Sequence, residues 1–335
     1  MAGPLQGLKI LDFTTLLPGP YATMMLADLG AEVLRIVSGS RPDLAAFMPP
    51  FLPGTNLSAA MACLGRGKRC ITLNLKDPRA VAIVRRLVAE YDIVIEQFRP
   101  GVMARFGLDY ETLKTANPGL IYCSLTGYPD NGPWRRKAGH DLNFLAVSGF
   151  LGLEADPHVP PTQIADMAGS LSAVAGILAV VIERATTGRG RRVSVSMAET
   201  AHSLLPVPLG EALAEGTDPQ GPRWWNGAHP FYRLYETADG RRLAVAALEK
   251  PFALSLLDAL GLESLRELAD DPLAHAAKLE SEIARVLRGA SAAEWEERLK
   301  DKDVCVTTVL TLGEARAFMD RLREPGGELK GRRKA

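Results

Sequence analysis

His140 and Asp141 stand side by side in KAGHDLNFLAVSGF, residues 137–150. Gly139 frees the chain to turn ahead of them, and an apolar, helix-like run follows. Asp141 alone reads as a helix N-cap, whose carboxylate accepts backbone N–H bonds. The histidine before it adds a side chain that gains or loses a proton near neutral pH. The pair suits proton transfer at a helix start, although a solvated histidine beside a capping aspartate is the plainer reading. Asp166, in QIADMAGS, poses the same choice. As an N-cap it is ordinary. As a functional group it would sit where a helix N-terminus stabilises a carboxylate and offers N–H groups to a developing oxyanion. Ala168, Gly169 and Ser170 are small, which would let a ligand approach the backbone. Glu249, in AALEKPF, ends a strand in the second half of the chain. It reads as solvated unless the fold brings it to the first domain.

Anion-binding candidates form a second set. GRGKR, residues 65–69, places Arg66, Lys68 and Arg69 around a glycine, and FRPG puts Arg99 directly after a strand. Pro18 and Gly19, in LLPGP, lie in a loop that opens a helix whose N-terminus could face a phosphate. Each is a weak signal, and a basic loop is more often a solvated turn. Together they are expected beyond the carboxyl ends of strands, where open α/β sheets bind ligands.

These residues need elements to hold them. LKILDFT, AEVLRI, RCITLNL, DIVIEQF and GLIYCSLTGY read as strands, and PGPYATMMLADLG and DPRAVAIVRRLVAEY as helices between them. The alternation predicts βαβ units and a mostly parallel sheet. No GxGxxG follows the first strand, so the usual dinucleotide fingerprint is missing. Asp166 opens a long helix ending at Gly188, and RRVSVSMAETA continues as strand then helix. The Pro- and Gly-rich stretch 206–225 reads as a linker. Beyond it, FYRLYETADGRRLAVAALE predicts a hairpin turning at Ala-Asp-Gly, then helices, then a strand at DVCVTTVL. The expected organisation is a large domain over 1–205, a linker over 206–225, a small domain over 226–310 and a tail over 311–335. The basic end GELKGRRKA reads as solvated.

Bulk properties exclude some classes. The chain has 335 residues, and its 39 Lys plus Arg balance 39 Asp plus Glu, so no net field draws it to nucleic acid or a membrane surface. The four cysteines show no CxxC spacing, which fits a reduced, cytoplasmic setting and gives no metal site. No signal peptide is visible, and the longest apolar run, AVAGILAVVI, is about half a membrane span and reads as a buried helix.

The order of these pieces resembles the class III CoA-transferase family, also called CaiB/BaiF. The resemblance rests on GPLQGLKILDF, PGPYATMMLADLGAEVLRI, RGKRCITLNLK, RPGVMARFGLDYETLKTANPGLIYCSLTGY, GHDLNF, DMAGSLSAVAGILAVVIERATTGRG, NGAHPFYRLYETADGRRLAVAALE and DVCVTTVLTLGEA. It implies an α/β fold: a large domain on a Rossmann-like parallel sheet, a smaller α+β domain, and a homodimer interlocked like two rings. The active site would lie between one subunit's large domain and the other's small domain, bringing Glu249 to His140. The resemblance is greatest to members that racemise 2-methylacyl-CoA thioesters. There the His140-Asp141 pair and Asp166 would be the two acid–base units, with Glu249 bonded to the histidine. In transferase members the position of Asp166 is a nucleophile that forms a mixed anhydride with the acyl group, and a histidine at position 140 would be surplus. A binding protein without turnover is a third reading. CoA would arrive as part of an acyl-CoA substrate, held by Pro18, Gly19, Arg66, Lys68, Leu73, Asn74, Arg99 and Gly139, with no metal or redox cofactor. Several positions depart from the family pattern: Val37 and Ser38, Gly65, Pro129, His229 where a small residue is common, and a shorter C-terminal segment.

Overall fold

The computed structural model describes residues 3–322, in two compact units that divide between Pro219 and Gln220. The first unit runs β1 (Lys9–Asp12), α1 (Pro18–Asp28), β2 (Glu32–Val37), α2 (Ala59–Leu64), β3 (Lys68–Thr72), α3 (Pro78–Val88) and β4 (Ile93–Glu96). It continues with α4 (Val102–Arg105), α5 (Tyr110–Leu113), β5 (Ile121–Thr126), α6 (Asp141–Ser148), α7 (Ile164–Thr187), β6 (Arg192–Ser196), α8 (Met197–Ser203) and α9 (Pro206–Glu215). The second unit contains β7 (Tyr232–Glu236), β8 (Arg242–Ala246), α10 (Lys250–Ala259), α11 (Ala276–Leu287), α12 (Ala292–Leu299), β9 (Val306–Thr308) and α13 (Leu312–Leu322).

The six strands of the first unit are all parallel, in the order β3-β2-β1-β4-β5-β6. A parallel sheet covered on both faces needs apolar residues at consecutive positions. Ile93, Val94 and Ile95 meet that need and are all fully buried. Ile93 and Ile95 pack with Ile10, Val33, Ile121 and α7, while Val94 packs with Leu11, Leu34, Tyr122 and α3 on the opposite face. Helix α3 shows why the local sequence folds as it does. Asp77 caps it by accepting the Arg79 N–H at 2.9 Å, Pro78 takes its first position, and Ala80, Val84 and Val88 form its buried stripe. The strand order reverses between β1 and β4, which opens a crevice at their carboxyl ends.

The second unit is a three-stranded antiparallel sheet, β7-β8-β9, under helices. Its hairpin turns at Ala238-Asp239-Gly240 as the sequence predicts. Asp239 accepts from the Thr237 hydroxyl at 2.5 Å and from the Ala292 N–H at 3.2 Å, which ties the turn to α12. Phe231, Leu256, Leu257, Leu279, Ile283, Leu287 and Trp295 fill its core.

Three expectations change. Residues 206–215 are not linker but α9: Pro206 is its first residue and Gly216 ends it with φ 68°. Pro and Gly there mark a helix start and stop, which composition alone does not distinguish from a loop. Residues 312–322 of the expected tail form α13, and GELKGRRKA lies outside the described residues. Helix α7 has 24 residues, long and apolar enough by length and composition to cross a bilayer. The expected apolar run undercounts it because small residues extend the helix on both sides. Its face with Ala165, Ala168, Gly169, Ala173, Ile177 and Val180 is buried within the unit.

Candidate active site

The loop after β1 is held from beneath by buried charge. Asp12, fully buried, accepts from the Thr14 N–H at 2.8 Å, the Thr14 hydroxyl at 2.5 Å and the Thr23 hydroxyl at 2.6 Å. Buried Arg35 pairs with Asp43 and donates to Thr14 O at 3.3 Å. Asp43 in turn accepts the N–H of Leu16, a non-glycine residue in the left-handed region at φ 61°. That conformation costs roughly a kcal/mol or more, so its neighbours must enforce it.

Two helix starts meet beside this loop. His140 is the N-cap of α6 and its N–H donates to Asn143 Oδ1 at 3.1 Å, which places Asp141 one residue inside the helix. Asp141 is therefore not the cap of its own helix. Its carboxylate instead accepts the Asp166 N–H at 3.0 Å and so caps α7 from 25 residues away. Asp166 is the third residue of α7, not its N-cap, and Gln163 in the cap position makes no side-chain bond. Partial burial of Asp166, followed by the nearby charge of Asp141, pushes its carboxyl up to about 7. Ordinary aspartates titrate about three units lower, so this group exchanges a proton near neutral pH. His140 is exposed, next to the residue that bonds Asp166.

The expected ligand-approach role of Ala168, Gly169 and Ser170 is not what the fold makes of them. All three are buried, and a Cβ on Gly169 would lie 2.8 Å from Met197 Cγ. Ser170 donates to Pro18 O at 2.7 Å, so small residues there let α7 close on α1. Pro18 and Gly19 are likewise packed. Two of the first three residues of α1 are prolines without N–H groups, and the Gly19 N–H goes to Gln97 Oε1 at 3.2 Å. No free donor is left there for a phosphate. Gly139 is glycine because a Cβ would fall 2.8 Å from Phe144 Cε1 and 3.1 Å from the Tyr128 hydroxyl; close approach, not a turn, requires it.

The basic cluster also divides. Arg66 is exposed and bonded to Asp28 at 2.5 Å, at the amino end of β3, away from the strand ends where Asp141 lies. Lys68 turns inward: its side chain is 3% exposed, 3.6 Å from Asp12, and donates to Pro20 O and the Thr23 hydroxyl at 2.7 Å each. Burial pushes its ammonium down to about 8. It is part of the support under the first loop. Leu73 is half-buried against the core and Asn74 is exposed in the turn after β3, where its side chain accepts the Lys76 N–H at 3.2 Å. Arg99 is exposed after β4 and, among the described residues, its side chain makes no ion pair or hydrogen bond. It alone of the expected cations is a free positive charge at the carboxyl edge. Glu249 belongs to the second unit, exposed as the N-cap of α10 without a side-chain bond. Among the described residues no group of three or more His, Cys, Asp or Glu is arranged to hold a metal ion. All four cysteines are free thiols.

The sequence reading passed over Asp12, Thr14, Arg35, Asp43 and Gln97. A charged residue within an apolar strand, as in KILD and EVLRIV, was the available signal, since a buried charge must find a partner.

Comparison with known proteins accords with this arrangement. Residues 5–327 match the family described as CoA-transferase family III. The chain is 36% identical over 317 residues to α-methylacyl-CoA racemase from Homo sapiens, covering 92% of this chain and 78% of that protein. It is 32% identical to a succinate–glutarate CoA-transferase from Agrobacterium fabrum, covering 98% of this chain and 84% of the relative. Among solved structures, a CaiB/BaiF family protein from Brucella suis superposes with a TM-score of 0.84 at 30% identity, covering 96% of this chain and 88% of that one. With the parallel sheet, the first-loop support and the paired helix starts in view, the chain belongs to CoA-transferase family III.

Proposed function

We propose that this protein epimerises 2-methylacyl-CoA thioesters by removing and returning the proton on the carbon next to the thioester carbonyl. The observation that carries the proposal is the Asp166 carboxyl, pushed up to about 7 at a helix start beside Asp141, with His140 one residue further on. A proton α to a thioester is weakly acidic, so its removal needs a placed base and donors for the enolate oxygen. Inversion needs a second proton carrier on the opposite face. His140, working with Asp141, and Asp166 are those two carriers. A base whose protonated and ionised forms are both populated near pH 7 works in either direction, as a reversible epimerisation requires. The α-methylacyl-CoA racemase similarity at 36% identity agrees with this chemistry.

In this proposal CoA enters with the substrate, Arg99 meets its phosphates, and the proton transfers call for no redox cofactor. The protein works as a homodimer in which the partner's small domain supplies the glutamate at position 249 to orient His140. The exposed apolar side of α7, with Leu171 56% and Ile182 72% exposed, supports an associated state.

The test is proton NMR of a single-epimer 2-methylacyl-CoA with the purified protein in deuterated water, without an acceptor acid. Loss of the α-proton signal with appearance of the second epimer is the expected result. No exchange by folded protein on prolonged incubation overturns the proposal for that substrate. The 32% identity to a CoA-transferase makes acyl transfer through Asp166 the second reading. It predicts turnover only with an added carboxylic acid and a protein that tolerates His140→Ala.

A further inference from the structure

Glu96 is a buried carboxyl that the proposed proton transfers do not use. It ends β4 and is 6% exposed. Alternation along the strand puts it on the face of Val94, which packs with Tyr122 and α3, and away from the face covered by α7, which carries Asp166. It therefore meets no reacting atom. With Tyr122, Ser124, Asp130, Arg192 and Arg99 it lines a crevice of about 370 Å³ at the carboxyl ends of β4 and β5. Asp130 and Arg192 pair with each other at 2.5 Å. Burial pushes the Glu96 carboxyl up to about 7. Such burial costs stability unless a partner answers it. One partner is backbone: Glu96 Oε2 accepts the Phe98 N–H at 2.8 Å. That bond closes a tight turn, and Arg99 is the next residue. The chain around the turn is held as well. Gln97 faces the first loop, where its Oε1 accepts the Gly19 N–H at 3.2 Å and its Nε2 donates to the Thr15 hydroxyl at 3.4 Å. Phe98 is half-buried against the core, and Arg99 O accepts the Val102 N–H at 3.1 Å. Because the Arg99 side chain has no partner among the described residues, this backbone sets the direction in which it leaves.

We infer that Glu96 is a positioning residue for Arg99: by holding the Phe98 N–H it fixes the turn from which the guanidinium reaches the phosphates of the CoA ester. The inference rests on the phosphate contact given to Arg99 in the proposed function. It requires an acceptor at position 96, not a charge. Without that acceptor the half-buried N–H is left unpaired and the turn relaxes.

Full-length protein is titrated calorimetrically with coenzyme A as the parent, Arg99→Ala, Glu96→Gln and Glu96→Met, and as both Glu96 variants combined with Arg99→Ala. The two Glu96 variants are alike in size and both uncharged, and only glutamine keeps an oxygen to accept the Phe98 N–H. Glu96→Met is expected to bind coenzyme A about tenfold more weakly than Glu96→Gln, the worth of one charge-assisted hydrogen bond. The difference is expected to vanish when residue 99 is alanine, since Glu96 acts through Arg99. In α-proton exchange the loss should appear in KM for the CoA ester rather than in kcat. Glu96→Leu serves as a second apolar variant with the same expectation, should Glu96→Met not fold. Equal affinities of the glutamine and apolar variants overturn the inference. So does a difference that survives Arg99→Ala, because Glu96 then acts elsewhere. No binding of coenzyme A by the folded parent, or an Arg99→Ala protein that binds as tightly as the parent, overturns the phosphate contact itself, and the positioning role falls with it.

Discussion

At the scale of single residues, Asp166 links stability to chemistry. Its folded-state value of about 7 lies above that of an unfolded aspartate, near 4. Between those values the folded chain binds the extra proton. Stability therefore falls as pH rises from about 4 to 7, and the penalty is full above 7. Asp166→Asn removes a charge held in a half-buried position. The variant is expected to be inactive yet more stable than the parent at pH 8, by on the order of 2 kcal/mol, with little difference at pH 4. Urea unfolding at both pH values checks this, and an equal difference at both would contradict it. His140→Ala changes an exposed side chain and is expected to leave the unfolding midpoint in place while lowering α-proton exchange by roughly 100-fold or more. Lys68 behaves oppositely. Lys68→Met strands the Asp12 charge in the interior, and breaking a buried pair in this way costs about 3–5 kcal/mol. A large loss in urea midpoint is expected, with KM for the CoA ester unchanged when measured well below the melting temperature.

At the scale of elements, the site depends on how helix starts are brought together. Asp141 holds the first turn of α7 through the Asp166 N–H. Asp141→Ala should cost about 1–2 kcal/mol, the usual worth of a cap. It also removes the neighbouring charge that helps to raise Asp166, so the pH profile of exchange should move toward acid. A profile that stays in place would show that burial alone sets the Asp166 value. The start of α1 is as tightly specified. A Cβ at Gly19 would lie 2.2 Å from Thr14 Cβ, and Thr14 cannot yield because Asp12 holds both its N–H and its hydroxyl. Gly19→Ala is expected to destabilise by about 1–3 kcal/mol, read as a lower melting temperature.

At the scale of the whole molecule, α7 is the core helix of the first unit and also exposes Leu171 and Ile182 on its other side. If a second copy covers that surface, Leu171→Glu with Ile182→Glu should yield a smaller species in analytical ultracentrifugation. Exchange activity should fall with it, because Glu249 of the partner subunit would no longer reach His140. A parent chain that sediments as a monomer at micromolar concentration while turning over substrate would refute the dimer.

Much of this was legible before the fold was known. Strands such as DIVIEQF could be read because a doubly covered parallel strand must be apolar at every position, and α3 because its cap, its proline and its buried stripe are all local. His140, Asp141 and Asp166 could be singled out by residue type and by proximity to helix starts. Their arrangement could not. Asp141 and Asp166 are 25 residues apart, and only packing of α6 against α7 lets one carboxylate cap the other's helix and raise its proton affinity. The same limit misplaced Lys68 and Arg66, neighbours in a basic loop that the sheet sends to a buried pair and to the far edge. Local sequence determined which elements form. Side-chain environment, set by burial and by partners distant in sequence, was decided only by the tertiary structure, because desolvation and Coulomb interaction depend on distance through space and not along the chain.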